Sequence, residues 1–385
     1  MLSLLRQPAL FVWALYLLLS PFYVVRAGLP QPGDLLILIL VPLALSGWDG
    51  RLPSAFTRVL RTLLLFTLWV CVVNIAWALV LQTWGKSLLF PLYYVYNAAF
   101  FLAGLVLYQR FGEPFVRFTV YLVWVTVVFQ VAASVVLVGG ATRGQLFFSN
   151  PNQLGYYALL AGCIIALTQA RLGIGLLRSA IGLMCCAYLA LLSGSRSSVA
   201  GIGLLLVLLL LSDPRIIVIG CLGAVGFTVL ESPLDKSVET LQQRISEDRN
   251  PGRSFFEERG YDRIWNNSEH LLLGAGEGNS KRFADSTVIG GAEIHSSIAT
   301  VLFSYGIPGM ALFIAFCLRI VRGVPLRTGL VLLPPLIYTF AHQGLRFTML
   351  WVLLVLFVAF KTALPAPAPR TRAPRRGRPR IAESS

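Results

Sequence analysis

The chain has 385 residues, 56% of them hydrophobic and only 13% charged, with a mean hydropathy of +0.74. Soluble domains are roughly 25% charged and 45–50% apolar, so this composition excludes a soluble globular class. The formal charge of +15 does not by itself indicate a nucleic-acid partner, because in a chain this apolar the first question is which loops hold the Lys and Arg residues.

A helix needs about 20 apolar residues to cross roughly 30 Å of hydrocarbon. In chain order the apolar runs predict spans over 9–27, 31–47, 60–82, 87–108, 115–138, 153–170, 173–192, 197–212, 215–231, 296–318, 325–341 and 345–362, about twelve in all. The first follows Arg6 and shows no small-x-small cleavage pattern before Arg26, so it reads as a retained span rather than a secretion signal. With the N-terminus inside, alternate loops hold Arg51, Arg58 and Arg61; Arg110 and Arg117; Arg171 and Arg178; Arg215; and Arg319, Arg322 and Arg327. The intervening short loops hold about one cation each: Arg26, Lys86, Arg143, Arg196 and Arg346. That alternation predicts an all-α polytopic membrane protein with both termini cytoplasmic.

Four regions follow: spans over 1–230, an outer loop over 231–295, further spans over 296–362, and a Pro, Ala and Arg-rich tail over 363–385. The tail cannot form a core and reads as a flank for membrane lipids rather than a nucleic-acid arm. The outer loop carries twelve of the seventeen acidic residues, from Glu231 to Glu293. Short amphipathic helices are predicted near Ser237 to Ile245 and Ser254 to Trp265, with Phe255, Phe256 and Trp265 facing the membrane or the bundle. All six cysteines lie in apolar runs, which supports neither disulfides nor a thiolate metal site.

Charged groups held beside apolar spans are functional candidates by default, and four clusters qualify, all on the predicted outer side. Ser193-Gly194-Ser195-Arg196-Ser197-Ser198 opens a helix. Its amides, hydroxyls and positive dipole end suit an anion, and Arg196 adds a bidentate fork; the competing reading is a plain turn with Arg196 snorkelling to headgroups. Arg263, in Tyr261-Asp262-Arg263-Ile264-Trp265, precedes Gly274-Ala275-Gly276-Glu277-Gly278. Those glycines lack the flanking strand and helix of a dinucleotide loop and read as a flexible bend, and a lone loop Arg is ordinarily solvated or ion-paired. His295, at the start of a span, is predicted to stay neutral beside a helix N-terminus and so to accept a proton; the alternative is a hydrogen-bonded structural histidine. The fourth cluster joins Arg143 to Asn152 with His342 to Arg346. Either loop could line a glycan or phosphate cleft, with Asn150 and Asn152 also suited to helix capping.

Asn150-Pro151-Asn152, Ser193-Gly194-Ser195-Arg196, the loop with Arg263 and Trp265 before Gly274-x-Gly276-x-Gly278, and His295 leading into Tyr305-Gly306-Ile307-Pro308-Gly309 together resemble the O-antigen ligase and O-antigen polymerase (Wzy-type) superfamily of bacterial envelope glycosyltransferases. The match covers about residues 145 to 310. One departure is Ser296, where the family's histidine is often followed by Asn. The resemblance implies a glycosyltransferase C-like helical fold in the bacterial inner membrane, with the active site on the periplasmic face. It implies transfer of a glycan from an undecaprenyl-diphosphate carrier to an acceptor hydroxyl, without metal, cofactor or nucleic acid. Arg196 and Arg263 would hold the diphosphate and His295 would activate the acceptor. Ser195, Ser197, Asn150, Asn152, Arg143, His342 and Arg346 would line the substrate, and a polysaccharide chain-length regulator and a flippase would be partners. Polymerisation of repeat units is the first reading, tilted by Asn-Pro-Asn; ligation of finished glycan to lipid A core or another acceptor is the second. A transporter or flippase is the third, against which stand the lack of an internal repeat and the clustering of charges at one face.

Overall fold

The computed structural model describes residues 6–25, 30–137, 143–173, 175–211, 215, 234–246, 254–283 and 293–362. Arg26, Cys221, the tail beyond 362 and the span predicted over 215–231, apart from Arg215, lie outside these residues. The described residues are helical, with no strand among them.

The helices are α1 (Pro8–Leu19), α2 (Ile37–Leu45), α3 (Ser54–Leu81), α4 (Trp84–Phe111), α5 (Glu113–Leu137), α6 (Pro151–Leu172), α7 (Leu176–Leu192) and α8 (Arg196–Leu210). They continue with α9 (Leu234–Ser246), α10 (Phe255–Glu258), α11 (Asp262–Asn266), α12 (Ser297–Val321), α13 (Leu326–Gly329), α14 (Leu333–Ala341) and α15 (Thr348–Thr362). A 3₁₀ turn, Pro32–Leu36, leads into α2. Four helices are long and apolar enough to cross a membrane: α3, most of α4, α5 and α12. The 22-residue α6 occupies the run predicted over 153–170, and shorter apolar stretches of helix lie at Pro8–Leu19, Pro32–Leu45, Leu176–Leu192, Arg196–Leu210, Leu326–Ala341 and Thr348–Lys361.

Local chemistry explains the boundaries. Helix α6 starts where the Asn150 side chain accepts the amide of Gln153 and Pro151 supplies the first turn, and it ends at Gly173 in the left-handed region. Residues 154–168 of α6 are buried on every side, the pattern of a helix surrounded by others rather than facing a boundary. Neighbouring helices close on it through small residues, for instance Gly201 against Leu159 and Gly182 against Ile165. Trp13 stacks on Phe100 with centroids 4.9 Å apart and donates its indole N–H to Thr119 at 3.0 Å, which satisfies the one polar atom of a fully buried ring.

Helix α12 is broken at Gly306 (φ 66°, ψ −170°). Pro308, two residues on, has no N–H to give the carbonyl of Ser304. The glycine-rich loop and α3 supply what the helix lacks: Gly276 donates to the Ser304 oxygen at 2.8 Å, Ala275 to Phe303 at 2.9 Å, and the Trp69 indole to Tyr305 at 2.8 Å. Non-helical backbone among apolar helices is tolerated where protein groups re-satisfy it in this way.

The flexible bend expected at Gly274-x-Gly276-x-Gly278 is therefore corrected. All three glycines have φ between 69° and 98°, and a Cβ on Gly274 would lie 2.4 Å from the Ser304 oxygen. Glycine is present there for backbone-on-backbone packing, which clamps the loop to the break in α12. Phe255, Phe256 and Trp265 stay about half exposed, with Phe256 meeting Tyr261 and Trp265 edge-on, so they form an outward aromatic patch rather than bundle core.

Candidate active site

The N-termini of α6 and α15, the end of α14, the 3₁₀ turn before α2 and residues 293–295 just ahead of α12 line a cavity of about 440 Å³ at one end of the bundle. Five sequence-predicted residues line it: His295, Asn150, Asn152, His342 and Arg346.

His295 lies two residues before α12, whose N-cap is Ser296. Its backbone N–H donates to the Arg259 carbonyl at 2.9 Å, and its ring Nδ1 lies 2.7 Å from the Glu293 carbonyl. A carbonyl oxygen only accepts, so Nδ1 carries the hydrogen and the lone pair of the neutral ring belongs to Nε2. Ser296, which follows the histidine, is held on three sides: its hydroxyl accepts the Ala299 amide, meets the Tyr261 hydroxyl at 2.8 Å and reaches the Thr339 carbonyl. It ties Tyr261, α12 and α14 together immediately beside the imidazole.

Arg346 does not present an uncommitted charge to the cavity. Nη1 donates to Glu293 and Nη2 to Glu277, each at 2.8 Å, and the guanidinium lies over the rings of Phe90 and Tyr93. Burial alone would lower its pKa, but the two carboxylates more than offset this and hold it above the ordinary arginine value. Glu277 is itself buried and fixed by the Tyr94 hydroxyl at 2.9 Å and, through its amide, by Asn74 at 3.0 Å.

Of the three residues given the chemistry, His295 alone lines the main cavity. Arg263 is 2% exposed and lines an adjoining chamber of about 30 Å³, room for a single water, whose walls include Glu293, Ile294, Gln343 and Arg346 of the main cavity. Burial lowers the Arg263 pKa, while Asp262 and then Glu293 act to raise it. Arg196 is the first residue of α8 at the same end. Arg143 bridges its turn to the cavity, donating from Nε to Ser193 at 3.0 Å and from Nη2 to Asn152 at 3.0 Å. Ser195 makes no cap bond to its helix; its hydroxyl accepts from Ser198 instead. Ser197 is partly exposed on the same turn.

Sequence reading missed several cavity residues. Asp34 lines the wall, with its carboxylate accepting from Tyr96 at 3.2 Å and from the Gln31 amide at 2.8 Å. An acid at the mouth of a short span was the available signal. The aromatic wall was also unforeseen: Tyr156 stacks on Tyr338 at 4.0 Å, and Tyr338 on His342 at 4.6 Å. The charged groups on the lining are thus Asp34 and Glu293 against Arg346, with His295 and His342 beside them. The expected pocket joined Arg196, Arg263 and His295; neither arginine is on this lining, and two carboxylates are.

A second cavity of about 510 Å³ shares Asp34, Tyr93, Arg346 and Thr348 with the first. Its other walls are mainly apolar, from α2 and α4: Ile37, Leu38, Val41, Leu89, Leu92 and Ala99. Leu38 is 71% and Leu92 58% exposed, so this groove runs from the polar cavity to the apolar outer surface of the bundle. No group of three or more His, Cys, Asp or Glu that could hold a metal occurs among the described residues. No protein-family model matches the chain, and the search of curated proteins returned no match.

Proposed function

We propose that this chain is a membrane glycosyltransferase that takes a glycan from a polyprenyl-diphosphate carrier and passes it to an acceptor hydroxyl at the cavity end of the bundle. The observation that carries the reading is the continuity between the two cavities. A polar, aromatic-walled chamber bearing an imidazole with Nε2 as its basic nitrogen opens into a groove on the apolar outer surface of the bundle. A substrate matching both has a long hydrocarbon tail and a sugar head. Aromatic faces beside carboxylate and amide groups suit the alternating C–H faces and hydroxyls of a sugar.

In this reading the tail lies between α2 and α4. His295 Nε2 takes the acceptor proton as the acceptor oxygen attacks the anomeric carbon, and the bond from that carbon to the diphosphate breaks. The diphosphate leaves on its carrier. Arg143 and Arg196, at the edge of the cavity end, stabilise the charge it gains; Arg346 and Arg263 neutralise Glu277, Glu293 and Asp262, which keeps that end from repelling the donor. The sequence topology puts this end outside and the arginine-rich end inside the bacterial inner membrane, with about twelve spans.

The test is a membrane assay with purified lipid-linked donor. Transfer to acceptor with release of the carrier diphosphate supports the reading. Accumulation of unaltered donor across sealed vesicles would replace it with transport. Deletion separates the two acceptors: single repeat units remain if the chain polymerises, and full-length glycan remains on its carrier if it ligates.

A further inference from the structure

At the opposite end of the bundle lies a cavity of about 480 Å³ that the transfer chemistry does not use. It is lined by Arg58, Arg319, Arg322 and Lys361, over Ala55 and Val59. The positions come from three chain-distant places: the first turns of α3, the last turns of α12 and the end of α15. Helix α12 begins beside His295 and runs for 25 residues, which sets this pocket roughly 35 Å from the imidazole at 1.5 Å per residue.

None of the four cations is paired with a carboxylate among the described residues. Lys361 is instead turned inward, its Nζ donating to the Arg319 carbonyl. A general excess of Lys and Arg on one membrane face explains basic loops. It does not explain four cations from three helices converging on one cavity, where each repels the others. Such a cluster is stabilised by an anion, and guanidinium forks with an ammonium match the oxygens of a phosphate.

The surface leading to the pocket identifies the source of that phosphate. Ile314 and Leu318 on α12 and Arg322, the residue that caps its end with its N–H on the Leu318 carbonyl, follow one another at four-residue spacing, so they share a face. Ile314 is 48% and Leu318 60% exposed, an apolar track ending at the guanidinium of Arg322. We propose that this pocket binds the phosphate of an anionic lipid headgroup, with an acyl chain lying along Ile314 and Leu318.

The experiment uses the full-length protein in mixed micelles and follows the thermal unfolding midpoint. Phosphatidylglycerol, phosphatidylcholine and inorganic phosphate are titrated at equal phosphate concentration. The expected result is stabilisation by phosphatidylglycerol alone, with an apparent affinity weakened about tenfold or more in R319Q/R322Q/K361Q. It should be unchanged in R51Q/R110Q/R327Q, which removes the same charge from the same end outside the pocket. Without anionic lipid, the pocket variant should be at least as stable as wild type, since its repulsion is relieved. The single variant R322Q gives a partial loss of affinity if the triple variant misfolds. Equal stabilisation by inorganic phosphate overturns the lipid assignment. Equal losses in the two triple variants, or no preference for phosphatidylglycerol over phosphatidylcholine, overturn the pocket altogether.

Discussion

The imidazole of His295 is oriented by the main chain of Glu293, whose carbonyl oxygen lies 2.7 Å from Nδ1. The contact settles which nitrogen is basic without any side-chain partner. An asparagine can place an N–H donor where Nδ1 stands but has no basic nitrogen. His295→Asn and His295→Ala should therefore both lower glycan transfer by about 10²–10⁴-fold, the usual worth of a general base. Near wild-type product from His295→Asn with purified lipid-linked donor would show that the ring only fastens the loop.

How far the sequence anticipates this site depends on the kind of signal. Apolar runs locate helical structure in each predicted region within the described residues from α1 to α8 and from α12 onward, because apolar run length is a local property. They do not show that the run over 325–341 divides into α13, a 3₁₀ turn and α14, or that α1 stops at Leu19. His295, Asn150, Asn152, His342 and Arg346 are legible as cavity residues because polar groups beside spans are rare. The partners of Arg346 are not, since Glu277 and Glu293 reach it across 69 and 53 residues of chain. Nor is the docking of Gly274 to Gly278 on α12. Its cause is the helix break at Gly306 and Pro308, and no pattern within the loop itself encodes that contact.

Arg346 holds two carboxylates, and Glu277 is only 4% exposed. Arg346→Ala would leave that carboxylate charged in a buried site, at a cost of about 3–5 kcal/mol. A large fall in the unfolding midpoint in detergent is expected even in the absence of donor. Adding Glu277→Gln to Arg346→Met should recover most of the loss, because no isolated buried charge then remains at that position. Full stability of Arg346→Ala alone would return Arg346 to a purely substrate-binding role.

The clamp between the glycine-rich loop and α12 predicts a contrast between two glycines. Gly274→Ala drives a Cβ to 2.4 Å from the Ser304 oxygen at φ +98°, combining overpacking with a disfavoured backbone for at least about 2 kcal/mol. Gly323 has a similar φ of +77° with nothing within 4 Å of its Cβ, so Gly323→Ala carries only the backbone term of about 1–2 kcal/mol. Transfer activity should fall with the first and not the second, because only the first displaces Glu277 and hence Arg346 and Glu293 at the cavity wall. Equal effects on unfolding and activity would mean that the loop is not docked by this contact.

The groove between α2 and α4 separates a lipid-linked donor from a water-soluble one. Ala99 lines it on α4 and is absent from the lining of the polar chamber, so Ala99→Trp fills the tail path and leaves His295, Asp34 and Asn152 in place. The KM for a long-chain donor should rise about tenfold, equivalent to roughly 1.4 kcal/mol of lost binding, with kcat preserved because the lost contact is made equally in the ground and transition states. A donor analogue with a chain too short to enter the groove should show no change. If both donors lose equally, the substituted ring has disturbed the chamber itself; if neither loses, the hydrocarbon takes another route and the groove plays no part in recognition.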